Sequence, residues 1–171
     1  MAADPGRQRL STGDDDRPGR ALLLAAGLLW TLPNTLAGLC AGLAGMAAGA
    51  RPRLDRDALA LVFHRWPWGP GGAMTLGNVI LHTGERLDVR CTTYVHRAGL
   101  CRDPEVLLRD HERAHVLQYM VLGPLFLPLY LLCGGISVRN RFERAADRYA
   151  RSGQGWWPWP CEPVPTDGRT P

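Results

Sequence analysis

Two long uncharged stretches dominate the hydropathy pattern of the chain, at residues 21–50 and at residues 116–138. The first of them follows a polar segment, residues 1–20, which we expect to be a disordered tail. A membrane-spanning helix needs about 20 apolar residues, and the first stretch has 30 uncharged positions. We therefore predict a membrane anchor over residues 21–50 and a location in the cell membrane.

Two other interpretations of residues 21–50 stay open. Pro33-Asn34 can break the stretch into a helical hairpin, and Ala48-Gly49-Ala50 fits the cleavage site of a secretory signal. The apolar region of such a signal is usually only about 7 to 15 residues long. Within the stretch, Gly38 and Gly42 have the small-x-x-x-small spacing that lets another helix approach closely.

Between the two apolar stretches the pattern changes to short β-like runs divided by turn residues. Candidate strands occupy residues 59–64, 74–81 and 89–95, and glycines and prolines bound them. This pattern predicts a small, mainly antiparallel sheet.

One helix is predicted to begin before the second apolar stretch, and another is predicted after it. Asp103-Pro104-Glu105 is a typical helix start, because Asp caps a helix well and Pro is tolerated at the first helical position. A strongly charged helix is expected at residues 140–151. The resulting fold class is α+β, with a compact domain over residues 51–151 and an irregular tail rich in Pro and Trp over residues 152–171.

Composition narrows the range of functions. All 20 basic residues are Arg, which is typical of a GC-rich bacterial genome, and the net charge is +4. The arginines are scattered among 16 acidic residues, so no nucleic-acid surface is predicted. The five cysteines have no paired C-x-x-C spacing, which argues against a four-thiolate zinc site.

The segment His111-Glu112-Arg113-Ala114-His115 carries the clearest chemistry. Residues four apart on a helix share a face, so His111 and His115 can offer imidazole nitrogens to one metal ion. Glu112 projects about 100° round the helix, where a general base can take a proton from metal-bound water. Catalytic zinc usually takes three protein ligands, so a third is required.

The predicted helix at residues 140–151 offers that third ligand. Glu143 and Asp147 are four residues apart and share a helix face. We predict that Glu143 binds Zn²⁺ and that Asp147 accepts a hydrogen bond from the outer ring nitrogen of a zinc-bound histidine. The competing interpretation is that these are ordinary structural residues, because a lone His-Glu-x-x-His match is common by chance.

With these residues in this order, the chain resembles the gluzincin metallopeptidases, and in motif it is most similar to the membrane-embedded zinc peptidases of bacteria. The resemblance implies that His111, His115 and Glu143 bind zinc, that Glu112 is the base, and that Asp147 supports a ligand. It covers residues 103–151, under a third of the chain.

The remaining histidines lack a partner at ligand spacing, so His64, His82 and His96 are expected at the surface or in hydrogen bonds rather than on a metal. The group that would stabilise a transition state is left open among four side chains: His96, Tyr119, Tyr130 and Tyr149.

The predicted zinc site constrains the path of the chain through the second apolar stretch. His115 and Glu143 are 28 residues apart, and a continuous helix would separate them by about 42 Å. Both cannot then reach one ion at about 2 Å. We therefore predict a broken, returning segment, with turns at Gly123-Pro124, Pro128 and Gly134-Gly135, that leaves both ligands on the same side of the membrane.

Three functional hypotheses follow from the sequence. The preferred one is a membrane-anchored zinc-dependent hydrolase, a peptidase acting on peptides or proteins with Glu112 activating the water. The alternative is a non-catalytic membrane protein that keeps the same fold as a structural or binding module. The third is a secreted zinc protein whose first 50 residues are removed.

Overall fold

The computed structural model describes residues 18–69, 71–99 and 105–159, which form an α+β fold as predicted. Two helices, α1 (Pro18–Trp30) and α2 (Leu32–Met46), precede a four-stranded sheet made of β1 (Arg51–Asp55), β2 (Ala60–His64), β3 (Ala73–Leu76) and β4 (Val79–His82). The remaining elements are β5 (Arg90–Cys91), α3 (Tyr94–Arg97), β6 (Val106–Leu107), α4 (Leu108–Leu122), a 3-10 turn (Gly123–Leu125), α5 (Phe126–Leu132) and α6 (Arg141–Ser152). The expected tails lie largely outside the described residues.

The sheet is mainly antiparallel, as predicted, but it contains one parallel pair of strands. Its strand order is β1-β2-β4-β3, with antiparallel pairs at both edges and a parallel pair of β2 and β4 in the centre. The single strand predicted over residues 74–81 is wrong, because a turn at Gly77-Asn78 divides it into β3 and β4. Gly77 has a φ angle of 61° there, a conformation that suits glycine.

Two other sequence predictions about local structure also need correction. The strand expected at residues 89–95 is reduced to β5, because the hydroxyl of Thr93 accepts a hydrogen bond from the His96 N–H and begins the short helix α3. Helix α4 begins at Leu108 instead of near Pro104, since β6 occupies the preceding residues. Residues 101–104 lie outside the described part of the chain.

The two faces of the sheet are covered by different helices. Phe63 and Leu81 point to one face, where residues of α2 pack on them. Val62 and Ile80 belong to a second buried cluster with Val116 of α4. Helix α4 therefore lies between the sheet and α6, which completes the layers around the predicted metal ligands.

Residues 21–50 form two helices instead of one continuous span. Helices α1 and α2 are bent by 66° at a break beside Thr31. Pro33 explains the break, since its ring clashes with the carbonyl group four residues earlier and it lacks an N–H donor. The bend lets α2 cover one face of the sheet while α1 contacts α4 on the other side.

Glycine residues of helix α2 pack closely against the sheet. A Cβ added at Gly38 would lie 2.7 Å from the Val79 Cβ, and one at Gly42 would lie 2.3 Å from the Phe63 ring. The glycine spacing that suggested helix pairing thus serves close packing of a helix on strands.

Hydrogen bonds connect residues at the break between α1 and α2 to the rest of the fold. The buried Thr31 hydroxyl donates to Asn78 Oδ1 at 2.7 Å, in the turn between β3 and β4. The Trp30 indole donates to the Val121 carbonyl at 3.1 Å, and the Asn34 amide donates to the Gly123 carbonyl at 3.0 Å. Residues 18–46 are therefore joined to both the sheet and the end of α4.

The second apolar stretch does turn back, although not at every predicted point. Gly123, with a φ angle of 54°, ends α4, and Gly134 and Gly135 adopt φ angles of 114° and 55° in the returning loop. Pro128 lies in the first turn of α5, where it is tolerated.

Among the described residues, Leu108–Leu132 is long and apolar enough to cross a membrane, and 33% of its most apolar window is buried in the fold. The bent α1–α2 pair is a second candidate if it counts as one broken span. Both assignments rest on length and composition.

Candidate metal centre

Helix α4 carries the two histidines on its buried face. His111 and His115 lie one turn apart, as their spacing predicts, and their rings meet edge to face with centroids 4.9 Å apart. Ala114 and Val116 have no exposed surface and pack this helix into the core. The apolar neighbours thus fix the direction in which both imidazole rings point.

Helix α6 brings Glu143 to the same place. Its N-terminal cap is Asn140, whose Oδ1 accepts a hydrogen bond from the Phe142 N–H at 2.9 Å. The Asn140 amide also donates to the carbonyl groups of Tyr130 and Gly135, at 3.1 and 2.7 Å. One buried side chain therefore begins α6 and ties it to the returning loop.

The three predicted ligands converge. His111 Nε2 lies 3.2 Å from His115 Nε2 and 3.2 Å from Glu143 Oε2, while His115 Nε2 lies 3.6 Å from Glu143 Oε1. Tetrahedral coordination with bonds of about 2.1 Å separates the donor atoms by about 3.4 Å. The spacing of these atoms fits one metal ion held by His111, His115 and Glu143.

Both histidines are oriented by a second polar group. Asp147 Oδ1 lies 2.9 Å from Nδ1 of His111, and Gln118 Oε1 lies 2.9 Å from Nδ1 of His115. Such contacts hold the other ring nitrogen free for a metal. The role of Gln118 was missed in the sequence, although its position three residues after His115 places it on the same helix face.

The surroundings of Glu143 favour the ionised form of its carboxylate. Tyr130 donates a hydrogen bond of 2.5 Å to Oε1, whereas the buried Oε2 has only the His111 ring nitrogen near it, at 3.2 Å, and accepts no well-aligned hydrogen bond from the described residues. Burial alone would raise the pKa of Glu143, but attraction to His115 and contacts with His111 hold it well below its usual range. The carboxylate is therefore ionised, as a metal ligand must be.

Glu112 lines the same cavity as the three predicted ligands and is hydrogen-bonded to the sheet. Its Oε2 accepts a hydrogen bond of 2.6 Å from the Thr75 hydroxyl on β3. Both side chains are buried, with 4% of Glu112 and 8% of Thr75 exposed. Thr75 could not be assigned to the site from the sequence, because it lies 37 residues before Glu112 and no motif links the two positions.

A cavity of about 390 Å³ surrounds these groups. Tyr119 and Tyr94 line it, and the buried Tyr119 hydroxyl has no hydrogen-bond partner among the described residues. Burial, followed by the nearby Glu143 charge, raises the pKa of Tyr94. Tyr94 was not among the residues selected from the sequence, and only the fold brings it to the site.

The other candidates for a transition-state group lie elsewhere or are already engaged. The Arg113 guanidinium stacks over the Tyr149 ring at 5.9 Å, and the His96 ring lies 2.8 Å from the Thr93 hydroxyl. His64 and His82 contact each other through Nδ1 atoms 3.1 Å apart. The histidines outside the motif are thus hydrogen-bonded, as expected.

No protein-family model, curated protein or solved structure matches this chain. Membership of the gluzincin family therefore stays a prediction that rests on the motif residues.

Proposed function

We propose that this protein is a membrane-associated, zinc-dependent hydrolase that cleaves peptide bonds. The observation that carries the proposal is the pairing of a three-ligand cluster with a separate carboxylate. His111, His115 and Glu143 converge on one point, while Glu112 faces the same cavity and is bound by Thr75. A ligand set of two histidines and one glutamate that leaves a position open is typical of catalytic zinc.

Each nearby side chain has a role in this mechanism. Zinc, when bound, supplies a Lewis acid that lowers the pKa of a water ligand towards about 7. Glu112 takes the proton of the attacking water and hands it to the leaving amine. Thr75 holds the Glu112 carboxylate in position from β3, so that the base does not swing onto the metal.

The membrane part of the proposal is supported by two apolar helical segments. Leu108–Leu132 has the length and hydropathy of a spanning helix, and α1 with α2 has them as a bent pair. Many of their apolar side chains remain exposed, including Leu22, Leu29 and Leu132 at 71% or more. A lipid environment would cover this surface.

Metal content and hydrolysis of a quenched-fluorescent peptide library test the proposal together. We expect one zinc per wild-type chain and zinc-dependent cleavage that is lost on chelation. Glu112→Gln should keep the zinc and lose about 10²- to 10⁴-fold in rate, because it removes a base and no ligand. Glu105→Gln, an exposed position near the start of β6, is the matched control and should behave as wild type.

Three results would contradict the proposal at different points. Zinc retained by a His111→Ala, His115→Ala double variant would place the metal elsewhere. A fully active Glu112→Gln variant would remove the base from the mechanism. Stoichiometric zinc without any cleavage by the wild type would favour the non-catalytic binding module.

A further inference from the structure

The cavity of the metal centre opens through apolar side chains. Trp68, Met74, Leu131 and Ile136 all line the cavity, and they are exposed by 48%, 45%, 68% and 74%. We call these four residues the rim. An exposed apolar patch around a polar site is a sign that the surface is covered by something other than water.

The rim is continuous with an exposed apolar surface on α5. Leu131 lies on α5, where its neighbour Leu132 is 82% exposed. Consecutive helix residues project about 100° apart, so α5 is apolar around much of its circumference. A helix of that kind is usually buried in a protein core or in a membrane, and this one is only partly covered by the fold.

Two arginines beside aromatic rings, one in the cavity lining and one at the start of α6, favour lipid as the partner. Arg97 lines the cavity with its guanidinium 5.7 Å from the centre of the Tyr94 ring. Arg141, just after the uncharged stretch, stacks over Trp159 at 5.0 Å. Tryptophan and tyrosine are enriched where a membrane meets water, and arginine is attracted to anionic headgroups.

We propose that the rim lies in the boundary between headgroups and acyl chains of a lipid bilayer. The metal centre then receives its substrate from the membrane surface, as an apolar polypeptide segment. The choice of substrate rests on the proposed hydrolase function, whereas the placement of the rim rests only on the surface described here.

Fluorescence from single labelled cysteines tests this placement without reference to zinc or hydrolysis. The full chain, with its five native cysteines replaced by alanine, is labelled with a nitrobenzoxadiazole dye at Leu131→Cys, Ile136→Cys or Leu54→Cys. Leu54 is the matched control, because it is 64% exposed and lies on β1, at the sheet edge opposite β3. The protein is reconstituted with phosphatidylcholine and phosphatidylglycerol vesicles that contain a nitroxide-labelled lipid.

The expected result is strong quenching by the nitroxide lipid at positions 131 and 136, with protection from aqueous iodide. The dye at position 54 should show the reverse. Quenching by iodide at all three positions, equal quenching by lipid at all three, or failure of the chain to associate with vesicles would each overturn the proposal. Loss of hydrolysis with the expected quenching pattern would contradict only the proposed function.

Discussion

Asp147 Oδ1 lies 2.9 Å from Nδ1 of His111, on the opposite side of the ring from the Nε2 atom that faces Glu143. Asp147 and Glu143 are one turn apart on α6, so a single helix carries both a predicted ligand and the carboxylate that contacts another predicted ligand. A carboxylate that accepts a hydrogen bond from a metal-bound histidine strengthens metal binding through that ring.

The Asp147→Ala variant should therefore bind zinc about 10- to 100-fold more weakly than the wild type, because groups that orient metal-bound histidines contribute by that amount. Asp147→Asn keeps an acceptor oxygen and should lose less. Competition with a fluorescent zinc chelator measures both affinities. The control is Asp57→Ala, whose side chain is 76% exposed; equal affinities for all variants would remove Asp147 from the metal site.

More of the candidate site than of the sheet could be predicted from the sequence, because its main residues lie close together in two short motifs. The spacing of His111 and His115, and of Glu143 and Asp147, fixes which side chains share a helix face. His115 and Glu143 can reach one ion only if the apolar segment between them turns back. By contrast, Thr75 and Tyr94 reach the site only through pairing and packing of distant segments.

The sheet was harder to predict, because the turn between β3 and β4 consists of only two residues, Gly77 and Asn78, between apolar residues on both sides. The packing of α2 was hidden for a related reason. A glycine-rich helix face can pack against another helix or against strands. In this fold the bend at Pro33 directs α2 onto the sheet.

Substitution of Asn140 should strongly destabilise the fold near the candidate metal centre. Asn140→Ala removes the cap of α6, which costs about 1 kcal/mol, and leaves the Tyr130 and Gly135 carbonyls without their donor. We expect a total loss of about 2 to 4 kcal/mol and a lower zinc affinity, as Glu143 follows three residues later. Thermal unfolding with and without zinc measures both effects.

The variant Asn140→Asp separates the two roles of this side chain. It keeps the oxygen that caps α6 at Phe142 and lacks the amide donor, so its stability should lie between wild type and Asn140→Ala. Wild-type stability for both variants would show that the returning loop is held by other contacts.

Enlarging Gly42 should disrupt the contact of α2 with the sheet. A side chain there meets the Phe63 ring, so Gly42→Leu should destabilise the fold by about 1 to 3 kcal/mol through overpacking. Ala44→Leu, at an exposed position of the same helix, is the matched control. If both variants unfold at the wild-type temperature, α2 does not pack on the sheet.

The contact between His64 and His82 predicts a loss of stability in mild acid. Burial, and then repulsion from His64, lowers the pKa of His82 to about 4, whereas the unfolded side chain has a pKa of about 6.5. Between these values the unfolded state binds a proton that the folded state excludes, so protonation favours unfolding. The contribution of His82 to stability is therefore complete above pH 6.5 and is lost as the pH falls towards 4.

Comparison of the wild type with His82→Gln isolates this contribution. Water near the half-buried His64 ring screens part of the effect, so we expect the wild type to lose about 1 to 2 kcal/mol more than the variant between pH 7.5 and pH 4.5. Thermal unfolding of both proteins without metal keeps His111 and His115 in the same metal-free state in the two samples. Any loss of packing in the variant is the same at both pH values, whereas the titration of His82 changes only the wild type. Parallel pH profiles would mean that His82 takes up its proton in the folded state as easily as in the unfolded chain.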